Sequence, residues 1–257
     1  MALPTPFRAH GFAFCLLAAV AAHGQTTNRA FAPRAEQAFA RAQTHSAAQP
    51  ADAAAAIELG RAAYNWALLA TNSAQRAAIA RTAIAATETL VARAPGSAAG
   101  HYYLAINLGE LADAEAPSLD AYKLIKVIER EFKAAAALDE QYDFAGPARC
   151  LGLLYRDAPG WPVSIGSKRK AREFLERAAA LAPDFPENIL NLVEANLRWH
   201  EAAAAEKNLK KLAALWPAAK KTLAGERWEA DWDDWTARRA AVEAEFQKAF
   251  KRPPDVP

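Results

Sequence analysis

Helix-ending signals recur along this chain at a nearly regular interval, and that interval limits the folds open to it. "LVARAPGSAAG" stops a helix at Pro95, "AAAALDEQYD" near Asp139, "RAAALAPDFPEN" at Pro183 and "KKLAALWPAAK" at Pro217. The stops lie 44, 44 and 34 residues apart. Proline ends helices because it lacks an N–H and its ring collides with the preceding turn. Between the stops the chain is rich in alanine, the best helix former. Strand-like runs of Val, Ile, Thr and Tyr are nearly absent. This rhythm predicts an all-α array of helical repeats over residues 51–217.

The interior of each interval has its own pattern. One unit places Leu151-Gly152 and Tyr155 on its first helix, then Ala171, Leu175, Ala178 and Pro183 on its second. Partial copies are Leu59-Gly60 with Ala63, and Leu108-Gly109 with Ala112 followed by Ala134 and Leu138. The last unit carries Leu192-Val193, then Ala205, Leu209 and Leu212. Small residues let two helices cross closely, and the larger ones fill the space between units. Residues 51–217 thereby resemble the tetratricopeptide repeat, whose period is about 34 residues. The resemblance implies a right-handed solenoid of antiparallel helix pairs whose first helices line a concave groove. In the unit from Leu151 to Pro183 the first-to-second turn is enlarged by about seven residues, "APGWPVSIGS".

Within that superfamily, Tyr155, Ala158, Pro159 and Gly160 in "YRDAPGW" are similar to a loop of the T-component of tripartite ATP-independent periplasmic (TRAP) transporters. That similarity implies an exported helical scaffold that associates with a periplasmic solute-binding protein. Such proteins are often lipid-anchored, whereas the residues before Cys15 here, "FAF", do not form a lipobox.

The N-terminus reads as a separate element. Arg8 and His10 precede an apolar run over residues 11–22, and Ala22 and Gly24 occupy the −3 and −1 positions of a cut before Gln25. This is the pattern of a secretory signal peptide, 1–24, and the run is too short for a typical membrane span. The alternative is an uncleaved anchor. After cleavage Cys150 is the lone cysteine, which fits a periplasmic protein without disulfides and a small buried apolar side chain. Residues 25–50 read as a flexible lead-in with room for one short helix. Residues 218–251 read as C-terminal capping helices, with a long helix over 226–251, and 252–257 as a tail. Trp228, Trp232 and Trp235 form one stripe continued by Phe246 and Phe250, suited to covering the open end of an array. The same tryptophans could instead make a docking surface.

Chemical motifs are absent. The five histidines are scattered, and there is no His-x-x-x-His, Cys-x-x-Cys or Gly-x-Ser-x-Gly pattern. The net charge of +2 gives no electrostatic case for nucleic acid. "GWPVSIGSKR" has the wrong glycine spacing and order for a phosphate loop. Ser167, Lys168 and Arg169 nonetheless form a candidate anion site, an N-cap followed by cations at free backbone N–H groups.

The main candidate surface is the groove. The repeat resemblance places Asn107 and Asn191 at the position where asparagine hydrogen-bonds an extended peptide. Tyr102, Tyr103, Arg149, Arg156 and Asn196 share that wall, and Trp161 on the enlarged loop either buries or meets a partner. The expectation is a non-enzymatic exported scaffold, without cofactor or metal, that binds a protein partner. A small-molecule or lipid-binding helical module is the alternative.

Overall fold

Five helix starts are written as capping residues. Asp52, Asn72, Ser97, Ser118 and Ser167 each accept a first-turn backbone N–H, from Ala54, Gln75, Gly100, Ala121 and Lys170. These bonds satisfy donors that have no partner inside the helix. The computed structural model describes residues 28–255, so the signal-peptide reading of residues 1–24 lies outside the described residues. Among those described there are ten α-helices and no strand.

A short 3-10 turn, Asn28–Phe31, leads into α1, Ala32–Ala48. Four helical hairpins follow: α2 (Ala53–Ala67) with α3 (Ser73–Arg93), α4 (Ala98–Ala114) with α5 (Leu119–Leu138), α6 (Tyr142–Asp157) with α7 (Lys168–Leu181), and α8 (Pro186–Arg198) with α9 (Ala202–Thr222). A second 3-10 turn, Glu226–Trp228, precedes α10, Glu229–Phe250. The first helices also touch one another in series, α2 on α4, α4 on α6, α6 on α8 and α8 on α10. The last helix therefore stands where a fifth hairpin would begin. It buries Trp235, Val242 and Phe246 in one cluster with residues of α8 and α9.

Gly152 shows why the pattern needs its small residues. A Cβ there would sit 2.7 Å from the Leu175 side chain and 3.0 Å from its backbone nitrogen. Only glycine lets α6 and α7 cross at this distance.

Two boundaries differ from the sequence reading. The expected loose lead-in contains the 17-residue helix α1, whose Ala42 joins Leu59 and Ala62 of α2 in a small core with Phe39. Pro217 does not end a helix, so the expected limit at 217 falls inside α9. The turn beyond Pro217 buries Ala219 and Leu223 in the α8–α10 core, which offsets the lost backbone bond. α1 also meets the segment that leads into α10. Arg34 Nη1 on α1 lies 2.7 Å from Glu226 Oε1 and 3.2 Å from Glu229 Oε2.

Candidate functional site

The residues expected to line an open groove are enclosed. Tyr102, Tyr103 and Asn107 lie on α4, Arg149 and Arg156 on α6, and Asn191 and Asn196 on α8, all with buried side chains. The cause is the stacking of first helices. α4 is flanked by α2, α3, α5 and α6, and its residues from Gly100 to Glu110 are all buried. Position on the first helix therefore does not give access here.

Each of these polar groups is used inside the protein. Asn107 Nδ2 donates to Gly60 O on α2 at 3.0 Å and to Tyr103 O at 2.8 Å. Asn191 Oδ1 accepts from Arg238 Nη2 of α10 at 2.6 Å. Asn196 Nδ2 donates to Glu201 and its Oδ1 accepts from Asn208. Arg156 pairs with Asp157 at 2.8 Å and with Glu194 at 3.5 Å. Tyr102 and Tyr103 meet edge-on, with ring centres 5.2 Å apart, and both pack on Tyr142.

Two buried acceptors on α4 lack a hydrogen bond, Asn107 Oδ1 and Glu110 Oε2. The Asn107 amide cannot turn over, because its Nδ2 faces two carbonyl oxygens that only accept. Burial pushes the Glu110 carboxyl up to about 7, against the opposing pull of Arg76, whose Nε is 3.8 Å away. A protonated Glu110 gains an O–H donor in a region short of donors.

The candidate anion site is already occupied by the protein's own carboxylates. Ser167 caps α7 as expected, but Lys168 Nζ lies 2.9 Å from Glu201 and Arg169 Nη1 lies 3.3 Å from Glu173. Arg172 and Lys168 together hold Glu201 down to about 2. Trp161 takes the exposed alternative, its side chain fully in solvent at the tip of the enlarged loop.

Three consecutive residues that no sequence pattern marked stand out instead. Asp143, Phe144 and Ala145 have φ of 49°, 55° and 62°, a left-handed turn without glycine at the start of α6. Each costs about 1–2 kcal/mol relative to the right-handed form. Arg149 and Asn188 hold the turn. Arg149 Nη1 donates to the carbonyls of Asp143 and Phe144 at 3.3 and 3.2 Å, and Nη2 reaches Asp143 Oδ2 at 3.2 Å. Asn188 Nδ2 donates to Phe144 O at 3.0 Å, and Tyr102 Oη donates to Asp143 Oδ2 at 2.6 Å. The turn brings the Phe144 ring to the surface, stacked on Phe185 at 4.4 Å and edge-on to Trp228 at 5.7 Å. Arg149 lies over the other ring of the pair, 5.3 Å from the Phe185 centroid.

No protein-family model and no curated protein matches this chain.

The remaining geometry argues against local chemistry at Cys150. Burial pushes its thiol up to about 12. Thiolate is the reactive form, so maleimide should label Cys150 in the native protein at least about a hundredfold more slowly than in urea. Peptide mass spectrometry, which separates Cys150 from Cys15, reads this directly. Among the described residues no group of three or more His, Cys, Asp or Glu side chains is placed to hold a metal ion.

Proposed function

We propose that the protein is an exported, periplasmic helical-repeat scaffold that binds a protein partner, with its hairpins arranged as a right-handed tetratricopeptide-type solenoid capped by α10. The serial contact of α2, α4, α6, α8 and α10 and the glycine-dependent crossing of α6 on α7 support the solenoid. The similarity of the Tyr155–Gly160 stretch to the T-component of TRAP transporters supports a periplasmic solute-binding protein as the partner.

The left-handed turn at Asp143–Ala145 carries the location. Costly backbone persists where its surroundings over-determine it, and such sites tend to be functional. Here Arg149, Asn188 and Tyr102 supply that surrounding network, and the product is an exposed Phe144 ring backed by the buried Phe185 and flanked by the half-buried Trp228. Aromatic anchors held rigid by buried polar groups are the common core of protein interfaces. Arg149 thus acts by positioning Phe144, not by touching the partner.

Phe144→Asn tests this, because asparagine tolerates the left-handed backbone while removing the ring. With the solute-binding protein of a TRAP transporter from the same source immobilised, the wild-type chain should bind saturably. Phe144→Asn should weaken binding by about tenfold or more with an unchanged circular dichroism spectrum. Equal binding of variant and wild type would remove this surface from the function. No binding by the wild type would remove the named partner.

A further inference from the structure

All four first-to-second turns fall on one edge of the molecule, because the first helices stack in series and each hairpin reverses the chain. Contacts between successive turns bear this out. Arg76 at the start of α3 pairs with Asp113 at the end of α4, and Arg198 at the end of α8 pairs with Asp157 at the end of α6. Lys168 and Arg172 at the start of α7 reach Glu201 in the α8–α9 turn. Ala116 and Ile165, from the second and third turns, pack on the same core cluster. Phe144, at the start of α6, lies at the opposite edge.

This edge exposes large apolar side chains at its turns. Trp161 is 89% exposed, and Val163 beside it and Leu119 at the start of α5 are also in solvent, with Leu68 at the first turn. The tip is held firmly. Gly166 N donates to Pro159 O at 2.8 Å, Ser167 N donates to Tyr155 O at 2.8 Å, and Val163 N and Ser164 N both donate to Gly160 O. A Cβ at Gly166 would stand 2.0 Å from Ala158 O, so the neck closes only with glycine there.

The charges on this edge are unequal in depth. Arg198 is 57% exposed while its partner Asp157 is 7% exposed, and Lys168 is 52% exposed against 25% for Glu201. Arg81 and Glu115 repeat the order. Lys123–Asp120 and Arg169–Glu173 present both signs equally. The net outward character is cationic heads around apolar tips, with the balancing carboxylates set behind them.

We propose that this edge docks on an anionic membrane surface. Trp161 and Val163 enter the headgroup region, where an indole is favoured, and Arg198, Lys168 and Arg81 meet lipid phosphates. No helix among the described residues is long and apolar enough to cross a membrane, so this contact is peripheral. Protruding tips at separate turns suit a planar, deformable surface better than a shaped protein pocket.

Vesicle flotation of the full chain tests it. The wild type is expected to float with vesicles of phosphatidylglycerol and phosphatidylcholine in equal parts. Flotation should weaken with added salt and with phosphatidylcholine alone. Trp161→Ser, at a fully exposed position, should lower partitioning by about tenfold, whereas Phe144→Asn should leave it unchanged. The proposal is overturned if the wild type does not float with the anionic vesicles or if Trp161→Ser floats equally well. It is also overturned if Trp161→Ser abolishes a protein association while flotation persists, which would make the edge a protein contact.

Discussion

Glu110→Gln should stabilise the protein above neutral pH and leave it nearly unchanged in mild acid. The carboxyl titrates near 7 in the folded chain, against an ordinary value of 4.5. Below 4.5 both folded and unfolded forms are protonated, and the group contributes nothing. As the pH rises, the unfolded chain ionises first, so stability falls until about pH 7 and stays at the lower level beyond it. The displacement corresponds to about 3 kcal/mol, at 1.36 kcal/mol per unit. Glutamine keeps the shape, never ionises, and offers an N–H to the donor-poor region that contains Asn107 Oδ1. Arg76 on α3 retains its bond to Asp113, so no cation is stranded. Tyr64 on α2 also feels Glu110, and burial keeps its hydroxyl protonated throughout this range. Asp231 titrates near 7 by the same cause, so the wild type slopes more steeply than Glu110 alone requires. Urea midpoints for both proteins at about pH 4 and about pH 8.5 give the answer. A gap between variant and wild type that does not change with pH would refute the assignment.

Much of the helical frame can be read from local chemistry, because its signals are local. Capping residues at Asn72, Ser97, Ser118 and Ser167 and stops at Pro95, Asp139 and Pro183 each act within one turn. The tryptophan stripe leading into α10 is periodic, and its last member, Trp235, is buried, with Trp228 and Trp232 half-buried. Accessibility is a different kind of property. α4, "HYYLAINLGEL", is apolar on every side, so periodicity cannot say which face is the groove and which the seam. The structure buries it from His101 to Glu110, which leaves Tyr102, Tyr103 and Asn107 no access to a groove. Pro217 shows the opposite case, a correct local rule overridden by the burial of Ala219 and Leu223. In "YDFAG", aspartate tolerates a left-handed backbone, but phenylalanine and alanine do not announce it. That turn exists because Arg149 and Asn188 converge on it, and Asn188 arrives from a residue 44 positions away.

Arg238 is the clearest residue hidden from sequence, and its replacement should have the largest effect. In "TARRAAVE" no local pattern distinguishes it from Arg239 beside it. In the structure it is buried between α10 and α8, and three acceptors close on its guanidinium. Nε donates to Glu194 at 2.8 Å, Nη1 to Asp234 at 3.3 Å and Nη2 to Asn191 at 2.6 Å. Exchanging a whole buried ion network for apolar residues can be neutral or stabilising, but removing one partner leaves the others desolvated and unpaired. Arg238→Met removes the central cation and leaves Glu194 with only Arg156, at 3.5 Å. The expected loss is about 3–5 kcal/mol in urea unfolding. Lysine keeps the charge but cannot match three separated acceptors, so Arg238→Lys should fall between the two. Since α10 docks mainly on α8, the Met variant should also loosen the last helix. Trp235, buried against Phe185 at 5.3 Å, would then shift its fluorescence to longer wavelength at denaturant concentrations below the main transition. Arg238→Met unfolding at the wild-type midpoint would show that packing of Trp235, Val242 and Phe246 holds α10 without the charge network.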